Sequence, residues 1–396
     1  MSVSQSFSGS SNPDASDDYE EADISSLLTM LGHLPDPRSP RGRQHSLVFV
    51  LAVSVVAVLA GASGFRQIAD QVSDLPQSLL AKLGGTWNWF KFRYSWPSRS
   101  VIRRVLVDSD AEALDVLVGA WLCERAHRND EDLLVIALDG KVLRGAWTDD
   151  NSQVSLFSAM LHEEAVTIAQ VRVPDGTHEI TQVERLLDGV TVSDGTRVLV
   201  TFDAAHTQRD TAEYVKGKRN FDYLMTVKGN QPTLRKEVFD RCVALLSGAA
   251  HDVVEERTRG LIKRWSCWIT DATGIDFPHR RQVACIRRDV FDLTGVRFSK
   301  ELAFVITSSP RDQSSAAEVN AHTRGHWRIE NKSHYVRDTT WKEDANQTYT
   351  GNGAHTIATL RNLALGLLRL NGVECIKETT ERICRDRNRA LPFLAT

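Results

Sequence analysis

An apolar run that ends in a carboxylate is the feature that most constrains this chain. Residues Leu133 to Leu138 are all apolar and lead directly into Asp139. Such a short run indicates a strand buried on both faces or a piece of buried helix, and the β-branched residues within it favour the strand. A buried ionised carboxylate is costly unless it is paired or binds a metal. Gly140 and Lys141 follow, so the same residues also fit a strand that simply ends in an Asp-Gly hairpin turn.

Two later stretches favour a functional interpretation of Asp139. The β-rich run Arg197 to Phe202 leads into Asp203, and Glu330 lies in a helical pattern. At about 100° per residue, the face of Glu330 would also carry Trp327, His334 and Arg337. Two aspartates at strand ends and a glutamate on a helix suit hard divalent cations, which prefer oxygen ligands. Spacing alone is no motif, so three unrelated solvated acids are the alternative.

The pattern of residues divides the chain into three parts. Residues 1–23 are rich in Ser, Asp and Gly and are predicted to form a disordered acidic tail. Residues 24–128 are predicted to be all helical, with Ser98 or Ser100 as the cap of a helix that continues to about Ala126. From 129 onward, strands and helices alternate. With 396 residues, the chain is long enough for two or three domains.

Charge and cysteine content exclude several classes of protein. The net charge of −3 argues against a uniformly basic nucleic-acid binder, although the acidic tail hides a mildly basic body. Residues 87–104 interleave aromatics with Lys and Arg; they could bind DNA backbone, but a small helical core with a basic solvated face is the commoner arrangement. No cysteine lies in a CxxC pair, which argues against structural zinc and fits a reducing compartment. We expect a cytoplasmic protein with no membrane partner, because no signal-like or spanning segment is present.

Several blocks of sequence resemble a known family. The resemblance is to bacterial insertion-sequence transposases of the DDE class, in the H-repeat-associated group, and it is carried by LPDPRSPRGRQHSL, LAGASGFRQIAD, ALDGKVLRG, FDAAHTQRD, LMTVKGNQPTL and HWRIENKSHYVRDTTWKEDAN. It implies an α/β fold with an RNase H-like core. In that core the first Asp lies on the first strand, the second at the end of the fourth, and the Glu on a later helix. Asp139, Asp203 and Glu330 are therefore the expected catalytic residues and metal ligands.

The resemblance also implies domains, activity and partners. Residues 24–128 would recognise DNA ends, and residues 129–396 would form the catalytic domain, with a β-rich insertion around 235–312. The activity would be DNA cleavage and strand transfer with two Mg²⁺ ions, for which Mn²⁺ could substitute. The partners would be terminal inverted repeats, target DNA and further copies of the chain on the DNA ends. The alternatives are an inactive DNA-binding remnant and a structure-specific nuclease.

Other residues are candidates for supporting roles. Glu343 and Asp344 compete with Glu330 as the third ligand, although their helical offset is poorer. Arg337 is expected to clamp phosphate near Glu330, because a guanidinium suits bidentate phosphate contact. The remaining candidates for DNA contact or for support of the metal ligands are Lys141, His206, Lys228, Asn230, Asn331 and Asp338. A surface polar residue is the alternative for His206, and a plain turn lysine for Lys228.

Overall fold

The computed structural model describes residues 23–126, 133–148, 151–193, 195–347 and 351–396. The predicted acidic tail lies outside these ranges except for Asp23, whose carboxylate accepts a hydrogen bond from the Ser25 amide at the start of the first helix (2.9 Å). Within the described residues, every helix is too short or too polar to cross a membrane.

Six helices dominate the region before residue 127. The second helix is apolar all round and is buried on almost every side, as its sequence predicts. Ser46 begins it by accepting a hydrogen bond from the Phe49 amide. The six helices are α1 (Ser25–Gly32), α2 (Leu47–Leu59), α3 (Phe65–Ser73), α4 (Gln77–Lys82), α5 (Arg99–Asp108) and α6 (Ala111–Ala126).

Two expectations for this region are wrong in detail. A small antiparallel hairpin, β1 (Trp87–Asn88) and β2 (Arg93–Tyr94), interrupts the helices, and the aromatics between its two strands are exposed rather than part of a helical core. The helix capped by Ser98 also ends at Asp108 rather than continuing to Ala126. There the Asp110 carboxylate accepts hydrogen bonds from the amides of residues 112 and 113, which begins α6 as a separate helix.

A large mixed sheet forms the rest of the structure, which makes the fold mixed α/β. The order of its nine strands is β5-β4-β3-β6-β7-β11-β10-β9-β8. The β3–β6 and β6–β7 pairs are parallel, and the other pairs are antiparallel. The strands are β3 (Leu133–Trp147), β4 (Gln153–Leu161), β5 (Thr167–Val173), β6 (Arg197–Phe202), β7 (Asp222–Val227), β8 (Asp252–Thr258), β9 (Leu261–Asp271), β10 (Gln282–Asp292) and β11 (Arg297–Thr307).

Strand β3 is much longer than the apolar run that predicts it. Asp139 pairs with Ser158 of β4 in the middle of the strand, and no hairpin turn follows it. β3 instead continues to Trp147, so the expectation of a strand ending at Asp139-Gly140 is wrong. The parallel neighbour pairs with β3 only as far as Ala137, which leaves one edge of β3 open from Asp139 onward.

The region between Asp203 and Glu330 extends this sheet. After β7 the chain forms α9 (Pro232–Val243) and then the four antiparallel strands β8 to β11. The last of them returns to the first half of the sheet, where Phe304 pairs with Val227. These strands are continuous with the main sheet.

The remaining helices pack on the sheet and against the N-terminal helices. Residues Glu179–Gln182 form a single 3-10 turn before α7, and Ile329–His334 form a π-helical segment after α10. The helices are α7 (Val183–Asp188), α8 (Arg209–Ala212), α10 (Ala316–His326), α11 (Tyr335–Thr340), α12 (Gly353–Leu370), α13 (Ile376–Arg385) and α14 (Leu391–Leu394).

Candidate active site

Parallel pairing brings the two aspartates side by side. Ala137 of β3 pairs with Thr201 of the parallel strand β6. Asp139 and Asp203 each follow this pair by two residues, so they lie beside each other just after β6 ends. Glu330 reaches the same place from the π-helical segment. The three acids line one cavity of about 180 Å³. The other residues that line it are Thr226, Lys228, His326, Trp327 and Ile329.

The loop after β6 holds Asp203 through the backbone. Its carboxylate accepts hydrogen bonds from the amides of Ala205 (2.9 Å) and His206 (3.3 Å). Asn230, expected to contact DNA or support the ligands, donates from its side-chain amide to the Ala204 carbonyl (2.6 Å). Its observed contact therefore braces the loop that carries Asp203.

A π-helical turn sets the direction of Glu330. In this segment the Tyr335 amide donates to the Glu330 carbonyl, five residues back, so the turn holds more residues than an α-helical turn. The His334 Nδ1 atom lies 3.8 Å from a Glu330 carboxylate oxygen and 3.5 Å from an Asp139 oxygen. One donor atom from each of these three residues lies within 4.8 Å of the others. Asp203 lines the same cavity outside this tighter group.

Charge is unevenly compensated in this cavity. Burial raises the pKa of Asp139 to about 6, although His334 and the Gly140 amide act in the opposite direction. The hydrogen bond and charge of His334 lower the pKa of Glu330. The burial of Asp139 is therefore only partly compensated, and a bound cation would favour its ionised form.

A fourth acid, Glu179, approaches Asp139 from the segment after β5. A β-carbon built on Gly140 would lie 1.7 Å from a Glu179 carboxylate oxygen, so only glycine leaves room for this approach. The negative charge of Glu179 contributes to the raised pKa of Asp139. Sequence reasoning missed Glu179, and the glycine after Asp139 is the only local signal that could have indicated a close neighbour.

His206 lies beside Glu179 and is buried rather than exposed on the surface. Its ring is buried and stacks on Phe157 with a centroid distance of 5.0 Å. The Nε2 atom lies 3.6 Å from a Glu179 carboxylate oxygen. The expected alternative of an exposed polar residue is therefore wrong, and His206 can act only through its neighbours.

A buried hydrogen-bonded row fixes the end of α10 against the sheet. The Thr201 hydroxyl lies 3.0 Å from Nδ1 of His326 and 2.9 Å from Nε2 of His162. Burial lowers the pKa of His326 to about 4, so this ring is neutral at neutral pH. Because Glu330 follows α10 by four residues, this row helps to determine where its carboxylate lies.

Lys141 lies two residues beyond Asp139 and is almost fully buried. Its ammonium contacts Asp338 at 2.7 Å and Asp344 at 3.3 Å. Its charge also lowers the pKa of Glu330. Lys141 and Asp338, both expected to support the site, therefore form an ion pair beside it, and neither is a free DNA contact.

Arg337 corrects the expectation of a phosphate clamp. Its side chain is 1% exposed and donates to Glu343 (2.7 Å) and to Asn362 (2.9 Å). The pattern of 100° per residue failed here because the π-helical turn changes which residues follow Glu330 on its face. Glu343 is bound by Arg337 and by Arg361 (2.7 Å), so it does not compete with Glu330 at the cavity.

The remaining candidates lie at or near the cavity mouth. Lys228 lines the cavity, with its ammonium 6.0 Å from the centre of the Trp327 ring. Trp327 is 60% exposed. Asn331 is exposed, and its side-chain amide donates to the Trp327 carbonyl (2.8 Å).

His334 is a second residue that sequence reasoning did not select as a ligand. It was placed on the face of Glu330 because of its spacing, but carboxylates alone were chosen for the metal. The Glu-x-x-x-His spacing was the available signal, since residues four apart on a helix are neighbours. In the structure His334 is buried, and its Nε2 atom has no hydrogen-bond partner among the described residues.

Comparison with known proteins identifies two matched regions. The profile of the transposase DDE domain matches residues 130–367, more than half of the chain. The profile described as DDE_Tnp_1-associated matches residues 28–122. Relatives include YncI of Escherichia coli O157:H7, which is 28% identical over 87% of this chain and 88% of its own. The H repeat-associated protein YhhI of Escherichia coli strain K12 is 26% identical over 94% of this chain and 98% of its own.

One solved structure, a piggyBac transposase synaptic complex with hairpin DNA, aligns with 93% of this chain and 78% of its own at 9% identity. The TM-score of this alignment is 0.38. The family assignment rests on the sequence match, which spans the strands and helices that carry Asp139, Asp203 and Glu330. The resemblance noted from the sequence is confirmed, and the chain belongs to the DDE transposase family, alongside the H-repeat-associated relatives.

Proposed function

We propose that this protein is an active transposase that cleaves DNA at the ends of an insertion sequence and joins the freed strand to target DNA. The observation that carries the proposal is the convergence of Asp139, Asp203 and Glu330 on one cavity. The partners are then terminal inverted repeats, target DNA and further copies of this chain on the DNA ends.

The topology supports an RNase H-like core as the frame of this site. Strands β5-β4-β3 are antiparallel, and β3-β6-β7 are parallel. Asp139 lies on the first strand of this set, Asp203 directly after the fourth, and Glu330 on a later helical segment. Residues 129–396 would be the catalytic domain with an insertion around 235–312, and residues 24–128 would recognise DNA ends.

The donor set fits divalent cations. Asp139, Asp203 and Glu330 would hold two ions, with the His334 Nδ1 atom as a further donor beside Asp139 and Glu330. The set is dominated by oxygen, which suits Mg²⁺ or Mn²⁺. When bound, such a pair of ions activates the attacking oxygen and stabilises the leaving oxygen in phosphoryl transfer.

The chain's own residues would hold and orient the DNA around that chemistry. Lys228 and the exposed face of Trp327 border the cavity, where a lysine can contact a phosphate oxygen. Asn230 keeps Asp203 in place through the Ala204 carbonyl. The negative charge of Glu179 favours the protonated form of Asp139, and a bound cation would offset that effect. The same charge would repel DNA phosphate from the side of the cavity where Glu179 lies.

The test is strand cleavage and joining on a supercoiled plasmid that carries both element ends, in Mg²⁺. Asp139→Asn should reduce cleavage by orders of magnitude and leave binding to the ends intact. Asp203→Asn and Glu330→Gln should do the same, and double variants should be little worse than single ones, because the three act as a unit. The ends are obtained by searching the flanking chromosome for inverted repeats.

Asp344→Asn is the matched control, since this acid contacts Lys141 and Arg144 and does not line the cavity. It should cleave at nearly the wild-type rate. Cleavage without joining by the wild type would favour a structure-specific nuclease, and binding without cleavage would favour an inactive remnant. Near wild-type cleavage by Asp139→Asn would refute the proposal.

A further inference from the structure

The hairpin of residues 86–96, here called the aromatic hairpin, leaves large apolar side chains unburied. Trp89 is 77% exposed, Phe90 96% and Phe92 77%, and Trp87 is partly exposed at 37%. These four aromatics lie within six consecutive residues. Contiguous exposed apolar surface of this kind marks an interaction site.

The aromatic hairpin is braced at its base. The Tyr94 amide donates to the Gln77 side chain (2.6 Å), and the Ser95 amide donates to the Thr86 carbonyl (3.0 Å). The Thr86 hydroxyl donates to the Gln44 carbonyl (3.3 Å), which ties the hairpin to the arginine-containing loop before α2. The exposed aromatics are therefore presented from an ordered base.

The turn itself is built to expose its tip. The Asn88 side-chain oxygen accepts hydrogen bonds from the amides of Phe90 and Lys91, both at 3.0 Å. Phe92 follows with a φ of 49°, a left-handed conformation that is costly for a side chain of this size. Burial of the Phe92 ring does not offset this strain, because the ring is exposed. Such strain is common at sites that bind a ligand.

The charged residues near the aromatic hairpin in the sequence favour an anionic partner. Residues 75–107 contain no Asp or Glu, and they contain Lys82, Lys91, Arg93, Arg99, Arg103 and Arg104. Lys91 and Arg93 are themselves exposed, and the Arg93 guanidinium lies 4.8 Å from the centre of the Trp96 ring. The chain has a net charge of −3, yet the segment that carries these exposed aromatics holds basic residues and no acidic ones.

We propose that the aromatic hairpin stacks its exposed rings on unpaired bases of DNA, while Lys91 and Arg93 contact the adjoining phosphates. The inference rests on the proposed function, which brings cut DNA ends and a freed strand to this protein. Aromatic rings among basic residues are how proteins hold single strands without reading their sequence. Insertion of apolar side chains between base pairs also unstacks duplex DNA. The ligand is therefore single-stranded or locally opened DNA.

The test measures binding of a short mixed-sequence single-stranded oligonucleotide and of its duplex to the full-length protein. The double variant Trp89→Ala with Phe90→Ala should bind the single strand at least about tenfold more weakly, because each stacked base contributes substantially to affinity. Its loss on intact duplex should be smaller. An oligonucleotide with 2-aminopurine should report stacking through fluorescence that changes with wild type and not with the variant.

Salt dependence separates the two parts of the aromatic hairpin. The aromatic variant should keep the wild-type slope of log affinity against log salt. Lys91→Ala with Arg93→Ala should reduce that slope by about 0.7 for each lost contact to a single-strand phosphate. Phe298→Ala, at a side chain 64% exposed on β11, is the matched control and should change neither quantity.

Unchanged single-strand affinity in the aromatic variant, or a loss equal to that of Phe298→Ala, would overturn the inference. Loss of self-association instead, measured by sedimentation, would also overturn it and make the aromatic hairpin a contact between copies. If the variant binds normally while wild-type cleavage still depends on Asp139, only this inference fails. If the wild type binds neither form of DNA, the proposed function fails with it.

Discussion

Two acidic clusters lie near Lys141. One consists of Asp139 and Glu330, and the other of Glu343 and Asp344. The clusters differ in how far positive charges compensate their carboxylates. Arg337 and Arg361 together lower the pKa of Glu343 to about 2, although burial acts to raise it. Burial raises the pKa of Asp139 to about 6, and the imidazole of His334 compensates only in part. The fold therefore supplies cations to one cluster and leaves the other short of positive charge.

This difference separates acids that hold the structure together from acids that can hold a ligand. Glu343 joins α12 and α11 by receiving an arginine from each, with Trp341 packed nearby in the core. Asp139 and Glu330 face a cavity instead. The comparison predicts opposite responses when one acid from each cluster is neutralised.

The largest expected effect is at Glu343. Glu343→Gln leaves two buried guanidinium groups facing each other without an anion, so the free energy of unfolding should fall by about 3–5 kcal/mol. Urea unfolding followed by circular dichroism measures it. Replacing all three charges, with Glu343→Leu, Arg337→Met and Arg361→Leu, should recover part of the loss. A loss below about 1 kcal/mol for Glu343→Gln would contradict the structural role.

Asp139 should respond in the opposite direction. Its folded pKa of about 6 lies above the unfolded value, so the ionised form destabilises the fold at neutral pH. Asp139→Asn should therefore raise the free energy of unfolding, measured with a chelator, by roughly 3 kcal/mol, because the pKa rises from 3.8 to about 6 and one pKa unit corresponds to about 1.4 kcal/mol. A raised folded pKa gives stability that is full below about pH 4 and lost as pH rises through 6. The advantage of the variant should therefore appear over that interval and remain constant above it.

Added Mn²⁺ should reverse the order of these two proteins. At about a thousand times its dissociation constant, a ligand that binds only the folded state adds about 4.1 kcal/mol, which exceeds the advantage of the variant. The wild type should gain this stability, and Asp139→Asn should gain little. An Asp139→Asn protein that is less stable than wild type in chelator would show that the carboxylate is compensated after all.

The local sequence predicts the strands that carry the site better than it predicts the contacts between distant residues. The apolar runs predicted the strands that carry or precede Asp139 and Asp203, because a strand buried on both faces has a local signature. Arg197–Phe202 was predicted with its observed bounds. Arg337 was misplaced because the prediction assumed an α-helical period, and the π-helical turn after α10 has no such signature. Glu179 could not be predicted, because it is far from Asp139 in the sequence and approaches it only in the folded chain. The small size of Gly140, which leaves space for the Glu179 carboxylate, is the one local indication.

The aromatic residues at 87–92 were misinterpreted for a related reason. Their composition suggested a small helical core, since apolar side chains are usually buried. Whether a ring is buried depends on what packs against it, and here the helices α2 to α5 form their core without the hairpin tip. Exposure of this kind is a property of the whole fold that the local sequence does not contain.

The smallest expected effect is at Asp344, the neighbour of Glu343 in sequence. Its carboxylate lies 3.3 Å from Lys141 and 3.5 Å from Arg144, and its side chain is 28% exposed, so water screens both contacts. Asp344→Asn should lower the free energy of unfolding by less than about 1 kcal/mol. Its gain in stability with Mn²⁺ should equal that of the wild type, because Glu330 and not Asp344 lines the cavity with Asp139. A reduced Mn²⁺ response in Asp344→Asn would indicate that Asp344, and not Glu330, is the third metal ligand. The two clusters would then no longer differ in their ability to hold a metal.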